Sequence, residues 1–78
     1  MDTFDLVEIL VKNSTFSRGK LVSLLKKYPL TKFTTEKLLV EILNEKGSKS
    51  FNDPEDFVIY LFNESKNRKL TVAQNNKK

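Results

Sequence analysis

The stretch NDPEDFVIYLF, residues 52–62, constrains the fold more than any other part of the chain. It opens with the residues of a helix start. Asp53 can cap a helix, Pro54 suits the first helical position, and Glu55 and Asp56 complement the positive end of the helix dipole. Six large apolar side chains then follow without a break, from Phe57 to Phe62. Their β-branched and aromatic character favours a strand. Such a strand would be apolar on both faces and would need a sheet covered on both sides. Nothing else in 78 residues supplies the partner strands. As a helix over about 54–66, the run places Phe57, Tyr60 and Leu61 on one face, with Val58 and Phe62 beside them. Ile59 then points nearly the opposite way. The helix is the preferred outcome.

Three further segments carry helical periodicity. Residues 3–12 have Asp2 or Thr3 as cap and an apolar stripe of Leu6, Ile9 and Leu10, widened by Val7 and Val11. Residues 18–28 follow the cap Ser17 and show Leu21, Leu24, Leu25 and Tyr28 at i, i+3, i+4 and i+7. Pro29 stops this helix, because the residue before a proline is pushed out of the helical region. Residues 35–46 begin at Thr34 or Thr35 and carry Leu38, Leu39, Ile42 and Leu43, with Val40 on the flank. Gly47 stands where a left-handed residue commonly closes a helix.

The fold class expected is therefore all-α, a compact bundle of four short helices at about 3–12, 18–28, 35–46 and 54–66. Residues 1–67 form one domain, and the basic segment 68–78 is expected to be a flexible tail. The alternative is a winged-helix arrangement with a hairpin at 47–62. In it residues 47–51 would pair with 57–62, and TTEKLLVEILNEKG resembles the third helix of such a domain. That resemblance implies a DNA-contacting wing, yet the tip here would hold three acids, Asp53, Glu55 and Asp56.

The chain contains neither cysteine nor histidine, which removes disulfides, thiolate zinc sites and the usual nucleophile–base pairs. Asp53, Glu55 and Asp56 form an acidic cluster, but a capped helix start accounts for all of them and no calcium-loop spacing is present. No catalytic residue, metal, cofactor or small-molecule substrate is expected, and so no enzyme. No segment reaches the roughly 20 apolar residues of a membrane span. Acids near the N-terminus argue against a signal peptide, so an intracellular location, cytoplasmic or with the nucleoid or nucleus, is expected.

The net charge is +4, unevenly distributed. Between Glu8 and Glu36 there is no acid, whereas Lys12, Arg18, Lys20, Lys26, Lys27 and Lys32 all fall in that window. Helical projection gathers Lys20, Lys26 and Lys27 around Ser23, away from the apolar stripe. Arg18, Lys20, Lys26, Lys27 and Lys32 are thus the candidate nucleic-acid contacts, since a basic face neutralises phosphates and releases counterions. The third helix would show Lys37, Glu41, Asn44 and Glu45 outward, an unfavourable surface for a major groove. The connection PLTKFT is longer than a helix-turn-helix turn and lacks its glycine.

The function expected from this pattern is a small non-enzymatic DNA- or RNA-associated regulatory protein that binds mainly backbone phosphate. The competing expectation is a protein-interaction module or inhibitor that docks through the fourth helix without touching nucleic acid. Val58, Ile59 and Phe62 are its candidate interface residues, with a homodimer as one form of it. Aromatic side chains lie among the bases and could stack on unpaired nucleobases. Of these, Phe16 and Phe33 flank the basic helix, where they could equally seal the ends of the bundle.

Overall fold

The chain forms four α-helices, α1 (Thr3–Lys12), α2 (Arg18–Lys27), α3 (Glu36–Glu45) and α4 (Pro54–Asn76), with 3₁₀ turns at Leu30–Lys32 and Ser48–Ser50. The computed structural model describes residues 1–76, with side chains through Arg68. Among the described residues there is no strand, so the hairpin at 47–62 does not form. Pro54, which the hairpin would place at its tip, instead opens α4. No helix among the described residues is long and apolar enough to cross a membrane.

Each helix starts where a side chain can satisfy an orphan backbone N–H. Asp2 accepts from the Asp5 amide at 2.8 Å, Ser17 from Lys20 at 3.3 Å, and Thr35 from Leu38 at 3.2 Å. Asp53 does the same for α4, accepting from the Glu55 amide at 2.9 Å. Tyr28 ends α2 in extended backbone, φ −123° and ψ 92°, as Pro29 requires. Gly47 departs from expectation. Its φ is −78° and no described residue has a left-handed conformation; Lys46 already leaves α3 extended at φ −145°.

Helix α4 is the hub: α2, α3 and the Leu30–Lys32 turn pack on it, while α1 packs on α2. Its inward face is Phe57, Val58, Leu61 and Ser65, all fully buried. The sequence stripe is thus rotated slightly, with Val58 at the centre and Tyr60 moved to the edge. Leu6 and Leu10 of α1, Leu21 of α2 and Leu39 and Ile42 of α3 are likewise sealed. Each such side chain contributes about 1.5–3 kcal/mol of transfer free energy. Phe16 lies 5.6 Å from Phe57 and Phe33 lies 5.5 Å from Phe62, so both close the ends of the bundle.

Helix α4 continues well past residue 66, the end expected from periodicity. Arg68 explains part of that extension: its guanidinium makes a bidentate pair with Glu45 of α3 and also reaches Glu64 at 3.2 Å. Arg68 was expected to begin a flexible tail; the side chains of 69–76, and Lys77 and Lys78 altogether, lie outside the described residues.

One buried group works against the fold. Ser65 is fully enclosed, and its hydroxyl has no hydrogen-bond partner among the described residues. A buried unsatisfied hydroxyl costs about 1–3 kcal/mol. Ser65→Ala is therefore expected to raise the stability by about 1 kcal/mol in urea unfolding; an unchanged or lowered midpoint would contradict this account.

Candidate nucleic-acid interface

The bases of the acid-free window part company in the fold. Arg18 turns toward α1, where its guanidinium donates to both Glu8 carboxylate oxygens at 2.6 and 3.2 Å. Lys20 and Lys27, seven residues apart on α2, lie on the opposite flank, toward α4. The Lys27 ammonium donates to Glu55 at 3.0 Å, and the Tyr28 hydroxyl donates to the same carboxylate oxygen at 3.2 Å. Lys26 and Ser23 are exposed on the outer side of α2, and Lys32 is exposed at the end of the following 3₁₀ turn. Lys20 and Lys27 therefore share the α2 flank that runs into α4, Lys26 lies about 100° round the helix from Lys27 on its outer side, and Lys32 follows beyond the helix end. Arg18 does not join them.

Helix α4 brings the aromatic part of the surface. Glu55, Ile59, Phe62 and Lys66 follow at i, i+4, i+7 and i+11, one stripe along its α2-facing edge. Phe62 packs against Tyr28 with ring centroids 5.9 Å apart and meets Phe33 edge-on at 5.5 Å. These three rings are half-buried. Cations sit at both ends of the row. The Lys27 ammonium lies 5.6 Å from the Tyr28 ring, and that of Lys66 lies 5.0 Å from Phe62 and 5.7 Å from Phe33.

The residues expected to form a protein interface are divided by the same geometry. Val58 is fully buried in the core and offers no surface. Phe62 belongs to the aromatic row. Ile59 is half-buried and lies between Glu55 and Phe62 on the stripe, which accounts for its position opposite the core. Among the described residues the most exposed large apolar side chain lies elsewhere: Phe4 of α1, at 69%.

A cleft of about 500 Å³ adjoins the row, walled by Met1, Phe33 and Leu38 with Arg68 alongside. No local pattern in the sequence signals it, because it forms where the Phe33 turn, the start of α3 and Arg68 of α4 meet. Lys66 is equally hidden, since nothing in its local sequence places it beside Phe33. The signal that existed was Phe33 between Lys32 and the Thr34–Thr35 cap.

A second cation–aromatic group occupies the other edge of α4, where the Lys46 ammonium lies 5.1 Å from Phe51 and 4.8 Å from Tyr60. It faces α3, whose exposed Glu36, Glu41 and Glu45 make that side acidic. Among the described residues, no group of three or more acidic, histidine or cysteine side chains is arranged to hold a metal ion.

Comparison with protein-family models, with curated proteins and with solved structures finds no match to this chain.

The carboxylates in these pairs titrate below their usual range. A hydrogen bond from Arg18 lowers the Glu8 pKa, one from Lys27 lowers that of Glu55, and one from Arg68 lowers that of Glu45. A depressed carboxyl pKa stabilises the fold above the unfolded-state value and loses that contribution as pH falls through the folded-state value. Lys27 shows the converse, its pKa raised by Glu55, so its contribution is lost only as pH rises past the lysine range. With no histidine or cysteine side chain to titrate between them, the thermal midpoint is expected to stay level from about pH 6 to 9 and to decline below about pH 4.3. Circular dichroism melts across that range test this, and a midpoint insensitive to acid would refute it.

Proposed function

We propose that this protein is a small nucleic-acid-associated regulator with no enzymatic role, which binds backbone phosphate through the α2–α4 face and acts by occupying the strand. The observation that carries it is the row Lys27–Tyr28–Phe62–Lys66, in which half-buried rings are bracketed by ammonium groups, with Lys20 on the same side of α2 as Lys27 and exposed Lys26 and Lys32 adding positive charge around it. Arginine is missing from this row. Both arginines of the chain, Arg18 and Arg68, are committed to bidentate carboxylate pairs elsewhere. Lysine is a flexible point charge, whereas bidentate recognition of guanine is an arginine geometry. Binding by this face is accordingly backbone-directed and tolerant of sequence.

The docking-module reading keeps one observation in its favour, the exposed ring of Phe4. Its expected site on α4 has lost Val58 to the core and Phe62 to the aromatic row. Charge substitutions separate the two functions. Lys20→Glu, Lys26→Glu and Lys27→Glu combined should abolish binding to nucleic acid at about 50 mM salt, where backbone contacts are strong. Glu55→Gln should act in the opposite direction, strengthening binding several-fold by releasing Lys27 and removing a carboxylate from the face. The wild-type affinity should fall with salt, with a log–log slope of about −0.7 to −0.9 per phosphate contacted. Fluorescence anisotropy with labelled oligonucleotides measures all three effects. No detectable affinity for single or double strands at low salt would end the proposal.

A further inference from the structure

We infer that the cleft beside Phe33 takes an unpaired nucleobase, so that the strand held by this face is single. The inference rests on the proposal that the α2–α4 face binds backbone phosphate, and it specifies which form of nucleic acid the face fits.

Three observations lead to it. First, the surface combines cations with ring faces at its edge, the pairing that single-strand binders use. A duplex keeps its bases stacked and offers only phosphates and groove edges, so Tyr28, Phe33 and Phe62 would have nothing to stack against. The helix that a winged-helix reading would send into a groove, α3, shows exposed Glu36, Glu41 and Glu45. Second, the cleft of about 500 Å³ lies within the size range of small-ligand pockets and has mainly apolar walls. Phe33 and Arg68 give it two flat groups, and guanidinium planes stack on bases much as aromatic rings do. The Arg68 charge is already balanced by Glu45 and Glu64, which fixes the plane and leaves phosphate to the lysines. Third, polar groups are placed at the margin. Thr31 lines the cleft along with Thr35, whose hydroxyl caps α3 by accepting from the Leu38 amide. Thr31 can meet the edge of a base without demanding one identity.

The Lys66 ammonium lies over Phe33 and Phe62, and on binding it exchanges those rings for a phosphate beside the cleft. Lys32, also on the cleft wall, holds the next phosphate toward α2.

The test uses the full chain and three labelled probes of about 12 nucleotides: oligo-thymidine, an abasic strand with the same number of phosphates, and a duplex. At low salt, oligo-thymidine should bind between about 5-fold and 100-fold more tightly than the abasic strand, the gain expected from stacking one base. It should also bind more tightly than the duplex. Phe33→Leu should bring the ratio of thymidine to abasic affinity, both measured on the same variant, close to one. The wild-type comparison stands alone should that variant fold poorly. A uridine strand beside its own abasic counterpart distinguishes RNA from DNA, and a base-dependent gain with either carries the inference. Equal affinity for thymidine, abasic and duplex probes would overturn base insertion and leave phosphate binding in place. No binding to any probe would overturn both.

Discussion

The burial of Phe57, Val58 and Leu61 is the contact on which the rest of the structure depends. Two α-helices and a 3₁₀ turn pack against the helix that carries them, and the rings of Phe16 and Phe51 close over Phe57 at 5.6 Å each. A chain this short buries only about 60% of its unfolded surface, so it has no second core to fall back on. The same burial fixes what remains outside. Once Phe57, Val58 and Leu61 face inward, helical geometry puts Tyr60 on one edge, Phe62 on the other and Ile59 on the stripe that leads away from the core. The aromatic edge at α2 is therefore a consequence of how the core is filled.

Much of this was legible in the sequence, for identifiable reasons. Caps at Asp2, Ser17, Thr35 and Asp53 are local devices that use one side chain and a nearby amide, so the residue types announce them. Pro29 and the leucine stripe of α2 are local in the same sense. The strand-like composition of residues 57–62 yields to tertiary context, because only a helix can share one core with three others. Gly47 misled, since a glycine after a helix need not be left-handed when the preceding residue has already turned out of it. The length of α4 was not legible either, because the Arg68 pair with Glu45 joins residues 23 apart in sequence.

The candidate site was legible only in parts. The lysines of α2 were evident from charge, and Tyr28 and Phe33 from their positions around the helix. What joins them is Phe62, which the sequence presents as one more residue of an apolar run. Its ring spans Tyr28 and Phe33, two residues on either side of a proline turn, and no periodicity in a single helix predicts that meeting. Arg18 fails in the complementary way. Charge alone groups it with Lys20, yet it is two positions away on α2, a rotation of about 200° that takes it to the other flank and to Glu8.

The division of labour between the two kinds of cation follows from their chemistry. Arg18 and Arg68 close carboxylate pairs between helices, where a rigid planar fork loses little freedom for each hydrogen bond it makes. The lysines of the α2–α4 face are left with weaker commitments: Lys66 rests on rings, and Lys27 shares Glu55 with a tyrosine hydroxyl. Exposed contacts of both kinds are small in energy and the ionic ones are screened by salt. A phosphate can replace either while the buried packing between the helices stays in place. In the proposed function the face changes partners while the core and both arginine pairs stay in place, the combination a reversible, salt-sensitive binding surface requires.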